Sequence, residues 1–93
     1  MNFERKKLVE DANAWLQQQP TAEPQSGRWY ALGNFKRFVA DLEESGTAES
    51  IDKAAWALGR FISDQYDWSA DYCQPISSFL ARARRLGKAV RNG

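Results

Sequence analysis

Residues 46–63 read GTAESIDKAAWALGRFIS and predict a tight turn followed by an amphipathic helix. Gly46 is suited to the end of a preceding helix, and Thr47 is a favoured N-cap residue for the helix that follows. Beyond the cap, apolar side chains recur at helical spacing and predict one buried face. These side chains are Ile51, Ala55, Leu58 and Ile62. The segment therefore predicts a helix over about residues 48–66.

The same helical periodicity recurs in three other segments, and no segment alternates as a strand does. The corresponding helices are predicted over about residues 3–18, 28–44 and 75–91. Pro20 ends the first of them, and Pro75 is suited to the first position of the last. Four helices with short connections predict a single all-α domain, either a compact four-helix bundle or an orthogonal helical array.

The composition favours an ordinary globular core made largely of aromatic residues. The 93 residues are 43% apolar and 27% charged, and they include four Trp, five Phe and three Tyr. Three of these aromatic residues, Tyr66, Trp68 and Tyr72, lie between the third and fourth helices and are predicted to fill the core there. The longest apolar stretches are only a few residues long, which excludes a membrane span.

The absence of histidine removes the commonest general base and the commonest metal ligand. The single cysteine, Cys73, has no histidine to activate it and no second cysteine with which to form an internal disulfide. No glycine-rich phosphate-binding motif and no Gly-x-Ser-x-Gly motif occurs. We therefore expect a non-enzymatic protein with no catalytic residues and no cofactor.

Three carboxylates near the end of the third helix are the best candidates for metal ligands. Asp64, Asp67 and Asp71 are spaced three and four residues apart, so on one continuous helix they would share a face and could bind Mg²⁺. Ser69 and the approaching Pro75 predict that the helix ends before Asp71. We therefore expect no metal site.

The net charge of +1 conceals an uneven distribution of charged residues along the chain. Residues 1–37 carry six basic and four acidic side chains, residues 38–71 carry two and eight, and residues 72–93 carry five and none. One interpretation is that the basic last helix pairs internally with the acidic segment. The other is that it presents a basic face to an anionic partner.

The basic face of the last helix supports the second interpretation. Arg84, Lys88 and Arg91 are spaced four and three residues apart and share one helix face, which Arg85 borders. Such a face is about 10 Å long, enough for two or three phosphates. The near-neutral chain is unlike most nucleic-acid binders, and the third helix begins with acidic residues, unlike a helix that reads DNA. A nucleic-acid-binding accessory protein is therefore the alternative function.

Two aromatic residues lie off the apolar stripes. On the third helix, Trp56 is about 140° from the buried stripe and shares its side with Gly59 and Arg60. On the second helix, Tyr30 points away from the core stripe, on the side of Arg37. Trp56 could pack under the linker of residues 20–27 or under Arg60 as a cation–π pair, or it could anchor an interface.

The preferred interpretation is a small helical interaction protein: an adaptor, an inhibitor or a regulatory subunit. It would bind a protein partner or a second copy of itself through Trp56, Arg60, Tyr30 and Arg37. Gly59, on the same face as Trp56, would allow another backbone to approach closely. The N-terminal residues lack the apolar run of a signal peptide, which predicts a cytoplasmic protein.

Overall fold

The computed structural model describes residues 2–44, 46–64 and 70–92, which form four α-helices. These are α1 (Asn2–Gln17), α2 (Gly27–Glu44), α3 (Ala48–Ser63) and α4 (Cys73–Asn92). Within these ranges no β-strand occurs, and none of the helices combines the length and the apolar character that crossing a lipid bilayer requires. Consecutive helices pack on each other and α4 returns to α1, so the four helices surround one core. The predicted all-α domain is confirmed.

Phe35 of α2 is the centre of an aromatic cluster that joins three helices. Its side chain is fully buried. Its ring centroid lies 5.2 Å from that of Trp15 on α1 and 5.4 Å from that of Phe79 on α4. Phe38, on the next turn of α2, lies 5.6 Å away. Because these rings come from three helices, their packing fixes α1, α2 and α4 relative to one another.

The predicted apolar stripes of all four helices face this core. Within the described residues no polar or charged side chain is buried. Tyr72 fills the joint before α4, as predicted, whereas Tyr66 and Trp68 lie outside the described residues. The buried residues that recur at helical spacing along the four helices are Leu8, Ala12, Leu32, Phe35, Phe38, Val39, Leu42, Ile51, Ala55, Leu58, Ile62, Ile76, Leu80, Ala83 and Leu86.

The turn between α2 and α3 follows the predicted cap. Thr47 is the N-cap of α3, and its side-chain oxygen accepts a hydrogen bond of 3.1 Å from the backbone N–H of Ser50. The end of α2 is capped by α1, because Nη1 of Arg5 donates to the carbonyl oxygen of Leu42 at 3.1 Å. The same guanidinium lies against Gly46, where a Cβ would be 3.0 Å from its carbon.

The fourth helix begins at Cys73, two residues before Pro75, which was predicted to be its first residue. The backbone N–H of Ile76 donates to the carbonyl oxygen of Tyr72 at 3.1 Å, which closes the first turn. Pro75 is thus the third residue of the helix. Its missing N–H costs nothing there, because the first N–H groups of a helix have no partner within the helix.

The third helix ends at Ser63 rather than at about residue 66. Asp64 is its C-cap, and the backbone N–H of this residue donates to the carbonyl oxygen of Phe61 at 3.1 Å. Asp71 lies in a turn beyond that helix end, and Asp67 lies outside the described residues. Asp64 and Asp71 therefore do not share a helix face.

The linker between α1 and α2 ends in a hydrogen-bonded turn that leads directly into α2. The backbone N–H of Ser26 donates to the carbonyl oxygen of Glu23, and Gln25 between them has a φ of 69°. The side-chain oxygen of Ser26 then accepts from the backbone N–H of Trp29 at 3.2 Å and caps the start of α2. This turn places the linker alongside the first turns of α2.

Candidate binding surfaces

Two glycines lie where α3 and α4 cross. At Gly59 of α3, Nη2 of Arg84 lies 2.7 Å from the position that a Cβ would take. At Gly87 of α4, the carboxylate of Asp52 and the side chain of Ile51 occupy the corresponding space. The sequence predicted room for a foreign backbone at Gly59. That expectation is corrected, because Arg84 of the same chain fills the space.

Trp56 is exposed beside this crossing. Its side chain is 63% exposed, so the linker of residues 20–27 does not cover it. The guanidinium of Arg60, one turn later on α3, lies 5.5 Å from the centroid of its ring. This is the cation–π contact that the sequence offered as one alternative. Arg60 covers part of the indole and leaves the rest open to a partner.

Arg84 and Lys88 of α4 lie on the same side of the crossing as Trp56. Arg84 packs on Gly59, which neighbours Trp56 on the face of α3 because it follows three residues later. Lys88 follows Arg84 by one turn, and both side chains are exposed. Among the described residues, no carboxylate pairs with either cation. We call Trp56, Arg60, Arg84 and Lys88 the seam surface.

The other basic side chains of α4 are partly used inside the molecule. Arg91 forms an ion pair with Asp52 of α3. Arg82 pairs with Asp11 of α1 at 3.0 Å, and Lys7 pairs with the same carboxylate at 3.3 Å. The hydrogen bond from Arg82, aided by Lys7, lowers the pKa of Asp11. Arg91 and Arg82 therefore both form ion pairs inside the molecule. Only the pair of Arg91 involves the acidic segment of residues 38–71, because Asp11, the partner of Arg82, lies on α1.

Arg85 lies on the side of α4 that meets the start of α1. It lines a shallow depression between α4 and the start of α1, together with Phe3 and Lys7. Arg84 and Lys88 lie instead at the α3 side of the helix. The four basic residues predicted to contact phosphates thus divide into an exposed pair at the seam, one that faces α1, and Arg91, which is paired with Asp52.

Tyr30 and Arg37 lie on a separate surface, a groove of about 660 Å³ between α2 and the linker. Neither Trp56 nor Arg60 lines this groove. The four residues predicted to bind a protein partner are therefore not brought together. We call this second surface the α2 groove, and its principal lining residues are Leu16, Trp29, Tyr30, Leu32, Gly33, Lys36 and Arg37.

Trp29 of the α2 groove is exposed, as is Phe3 at the start of α1, and the sequence analysis singled out neither aromatic residue. Trp29 is 44% exposed and Tyr30 is 48% exposed. Their ring centroids are 4.9 Å apart at an interplanar angle of 83°, an edge-to-face pair. On the helix, Trp29 falls at the border of the stripe that contains Leu32. Periodicity alone therefore did not separate it from the core.

No protein-family model matches this chain, and neither curated proteins nor solved structures gave a match. Within residues 2–44, 46–64 and 70–92, no group of three or more His, Cys, Asp or Glu side chains is arranged to hold a metal ion. The function is therefore inferred from the seam surface and the α2 groove.

Proposed function

We propose that this chain is a small, non-enzymatic interaction protein that binds a protein partner through the seam surface. The observation that carries the proposal is Trp56, a large apolar side chain that is 63% exposed on a well-packed helix. Trp and Arg are the residue types that most often dominate binding free energy at protein interfaces. Arg60 stacks on Trp56 and holds part of the indole in place. A partner that covers the rest would gain apolar burial at little entropic cost.

The charges around Trp56 define the partner's chemistry. Arg60 lies over its ring, Arg84 lies against the neighbouring Gly59, and Lys88 follows Arg84 by one turn of α4. Asp52, one turn before Trp56 on α3, is paired with Arg91. An acidic partner surface with an apolar recess for the indole is complementary to this arrangement. The α2 groove is a second, separate surface. Two separate surfaces favour an adaptor over the other roles considered.

Replacement of Trp56 by alanine is expected to weaken partner binding by at least about thirtyfold, because a central interface tryptophan typically contributes 2 kcal/mol or more. Stability should change by less than about 0.5 kcal/mol, because the side chain is largely exposed. The measurement is co-purification of partners with wild-type and Trp56→Ala baits, followed by titration of the recovered partner. Sedimentation of the pure chain tests whether that partner is a second copy.

The matched control for this experiment is Phe3→Ala. Phe3 is also an exposed aromatic residue, at 77%, but it lies in the first turn of α1 beside Arg85, away from the seam. It should leave partner binding unchanged. Equal binding and equal self-association by wild type and Trp56→Ala would refute the proposal.

A second candidate function, binding to nucleic acid, is supported by the same juxtaposition of an exposed indole and cations that no described carboxylate pairs. Single-strand binders combine aromatic side chains that stack on bases with basic groups that contact the backbone. Trp56 could supply the first, and Arg84 and Lys88 the second. Of the cations in the seam surface, the described contacts leave only Arg84 and Lys88 without an internal partner, which makes this the weaker candidate.

Salt dependence separates the two candidates. The second candidate predicts that labelled single-stranded DNA binds at low salt and that its affinity falls steeply as salt is added. Arg84→Ala should then reduce the salt slope by about one, whereas Arg82→Ala, which removes a cation already paired with Asp11, should reduce it less. Fluorescence anisotropy titrations at two salt concentrations measure both slopes. Absence of binding at low salt eliminates this candidate.

A further inference from the structure

We propose that the α2 groove is a docking site for an acidic peptide segment of a partner protein, whose backbone lies against Gly33. This inference rests on one part of the proposed function, namely that the chain is an interaction protein. The surface is a different one, on α2 rather than at the crossing of α3 and α4. Three features of the groove carry it: a glycine without an internal role, an exposed aromatic pair, and two cations that form no ion pair with a described carboxylate.

Gly33 is the one glycine in the described ranges that packing within the chain does not explain. A Cβ at position 33 would have no atom of a neighbouring segment within 4 Å. The other glycines each lie against a side chain of the same molecule: Gly27 against Tyr72, Gly46 against Arg5, Gly59 against Arg84, and Gly87 against Asp52 and Ile51. Gly33 also lacks the positive φ that would require glycine.

A glycine in the middle of a helix is costly, because it is a much poorer helix former than alanine. An advantage outside the folded chain would explain why it is present. Glycine is the residue that lets a foreign backbone approach a helix most closely. Gly33 lies in the wall of an open groove, where such an approach is possible.

The neighbours of Gly33 on the helix surface form a frame around it. Trp29 and Tyr30 lie one turn before it, and Lys36 and Arg37 lie one turn after it. All four line the groove and are exposed. A peptide that crosses α2 at Gly33 would place an apolar side chain against the aromatic pair. A carboxylate further along the peptide would meet the two cations.

The charge of the groove selects an acidic occupant. Among the described residues that line it, none is Asp or Glu, and neither Lys36 nor Arg37 forms an ion pair with a described carboxylate. The groove also has apolar side chains, Leu16 and Leu32, that a peptide side chain could cover. A nucleic acid would find only two cations, too few for strong phosphate binding at physiological salt. An acidic peptide with apolar side chains therefore fits best.

The experiment is selection of a displayed library of random peptides on the immobilised protein. Enriched peptides should combine Asp or Glu with apolar residues.

One enriched peptide is then labelled with fluorescein, and its binding is titrated by fluorescence anisotropy. Gly33→Ala should weaken its binding by about tenfold or more, because the added methyl group blocks the backbone approach, and should raise the melting temperature by about 4 °C. If Gly33→Ala is more stable than the wild type and yet binds the peptide less well, the loss of binding cannot result from damage to the fold.

Two further variants localise the binding. Arg37→Ala should weaken the peptide and lower its salt sensitivity. Trp56→Ala should leave peptide binding unchanged, so a failure of the groove and a failure of the seam surface can be told apart. The proposal is overturned by enrichment of peptides without acidic residues, by equal affinity for wild type and Gly33→Ala, or by single-stranded DNA that displaces the peptide from the groove.

Discussion

Phe35→Ala is expected to lower the free energy of unfolding by about 3–5 kcal/mol. The ring is fully buried and lies within 5.6 Å, centroid to centroid, of Trp15, Phe38 and Phe79. Truncation therefore loses the apolar burial of the ring and leaves a cavity where three helices meet. A small domain is stable by only about 5–15 kcal/mol in total, so this loss brings the chain close to unfolding. Urea unfolding followed by tryptophan fluorescence measures the change.

The matched control is the same substitution at Phe3, which is 77% exposed. Phe3→Ala should change the free energy of unfolding by less than about 0.5 kcal/mol, because its ring is already mostly in water. Losses of similar size in the two variants would contradict the aromatic cluster as the centre of the core. A conservative Phe35→Leu should lie between the two, because it retains much of the apolar volume.

The burial of Phe35 could be predicted from the sequence because it depends on one helix only. Leu32, Phe35, Val39 and Leu42 are spaced three, four and three residues apart, and that spacing defines a helix face without reference to any neighbour. The same argument placed Trp56 off its stripe, and the side chain is indeed largely exposed. The fold class, the core stripes and the Thr47 cap all follow from such local patterns.

The arrangement of the surfaces could not be predicted, because it depends on which helix faces overlap. The pairing of Arg91 with Asp52 joins residues 39 positions apart in the chain. The sequence could not show that Tyr30 and Arg37 line a groove of their own, or that Arg84 joins Trp56 at the seam. Periodicity gives each side chain a direction on its own helix and leaves open how the helices are rotated about one another.

The glycines illustrate this limit. In the sequence, Gly33, Gly59 and Gly87 each interrupt a helical pattern, and nothing local shows what each of them packs against. In the structure, Gly59 and Gly87 lie at the crossing of α3 and α4, and Gly33 lies in the wall of an open groove. Their substitution by larger residues should therefore have different effects. The largest effect is expected where the neighbouring atoms cannot move.

Gly87→Leu is expected to lower the free energy of unfolding by about 1–3 kcal/mol, even though leucine is the better helix former by nearly 1 kcal/mol. The space that the new side chain needs is held by Asp52 and by Ile51, which is buried and cannot move into solvent. α4 must therefore shift away from α3, which also strains the ion pair of Asp52 with Arg91. Thermal unfolding at several urea concentrations measures the loss.

Alanine at the two crossing glycines provides the sharper comparison. At Gly59 the obstructing atom is the far end of Arg84, which can swing into solvent, so Gly59→Ala should be neutral or stabilising. At Gly87 the neighbours are an ion-paired carboxylate and a buried side chain, so Gly87→Ala should destabilise. Equal stability changes in the two variants would contradict this description of the crossing. Because Gly59→Ala displaces Arg84 while leaving Trp56 exposed, any loss of partner binding in that variant would measure what Arg84 contributes to the seam surface.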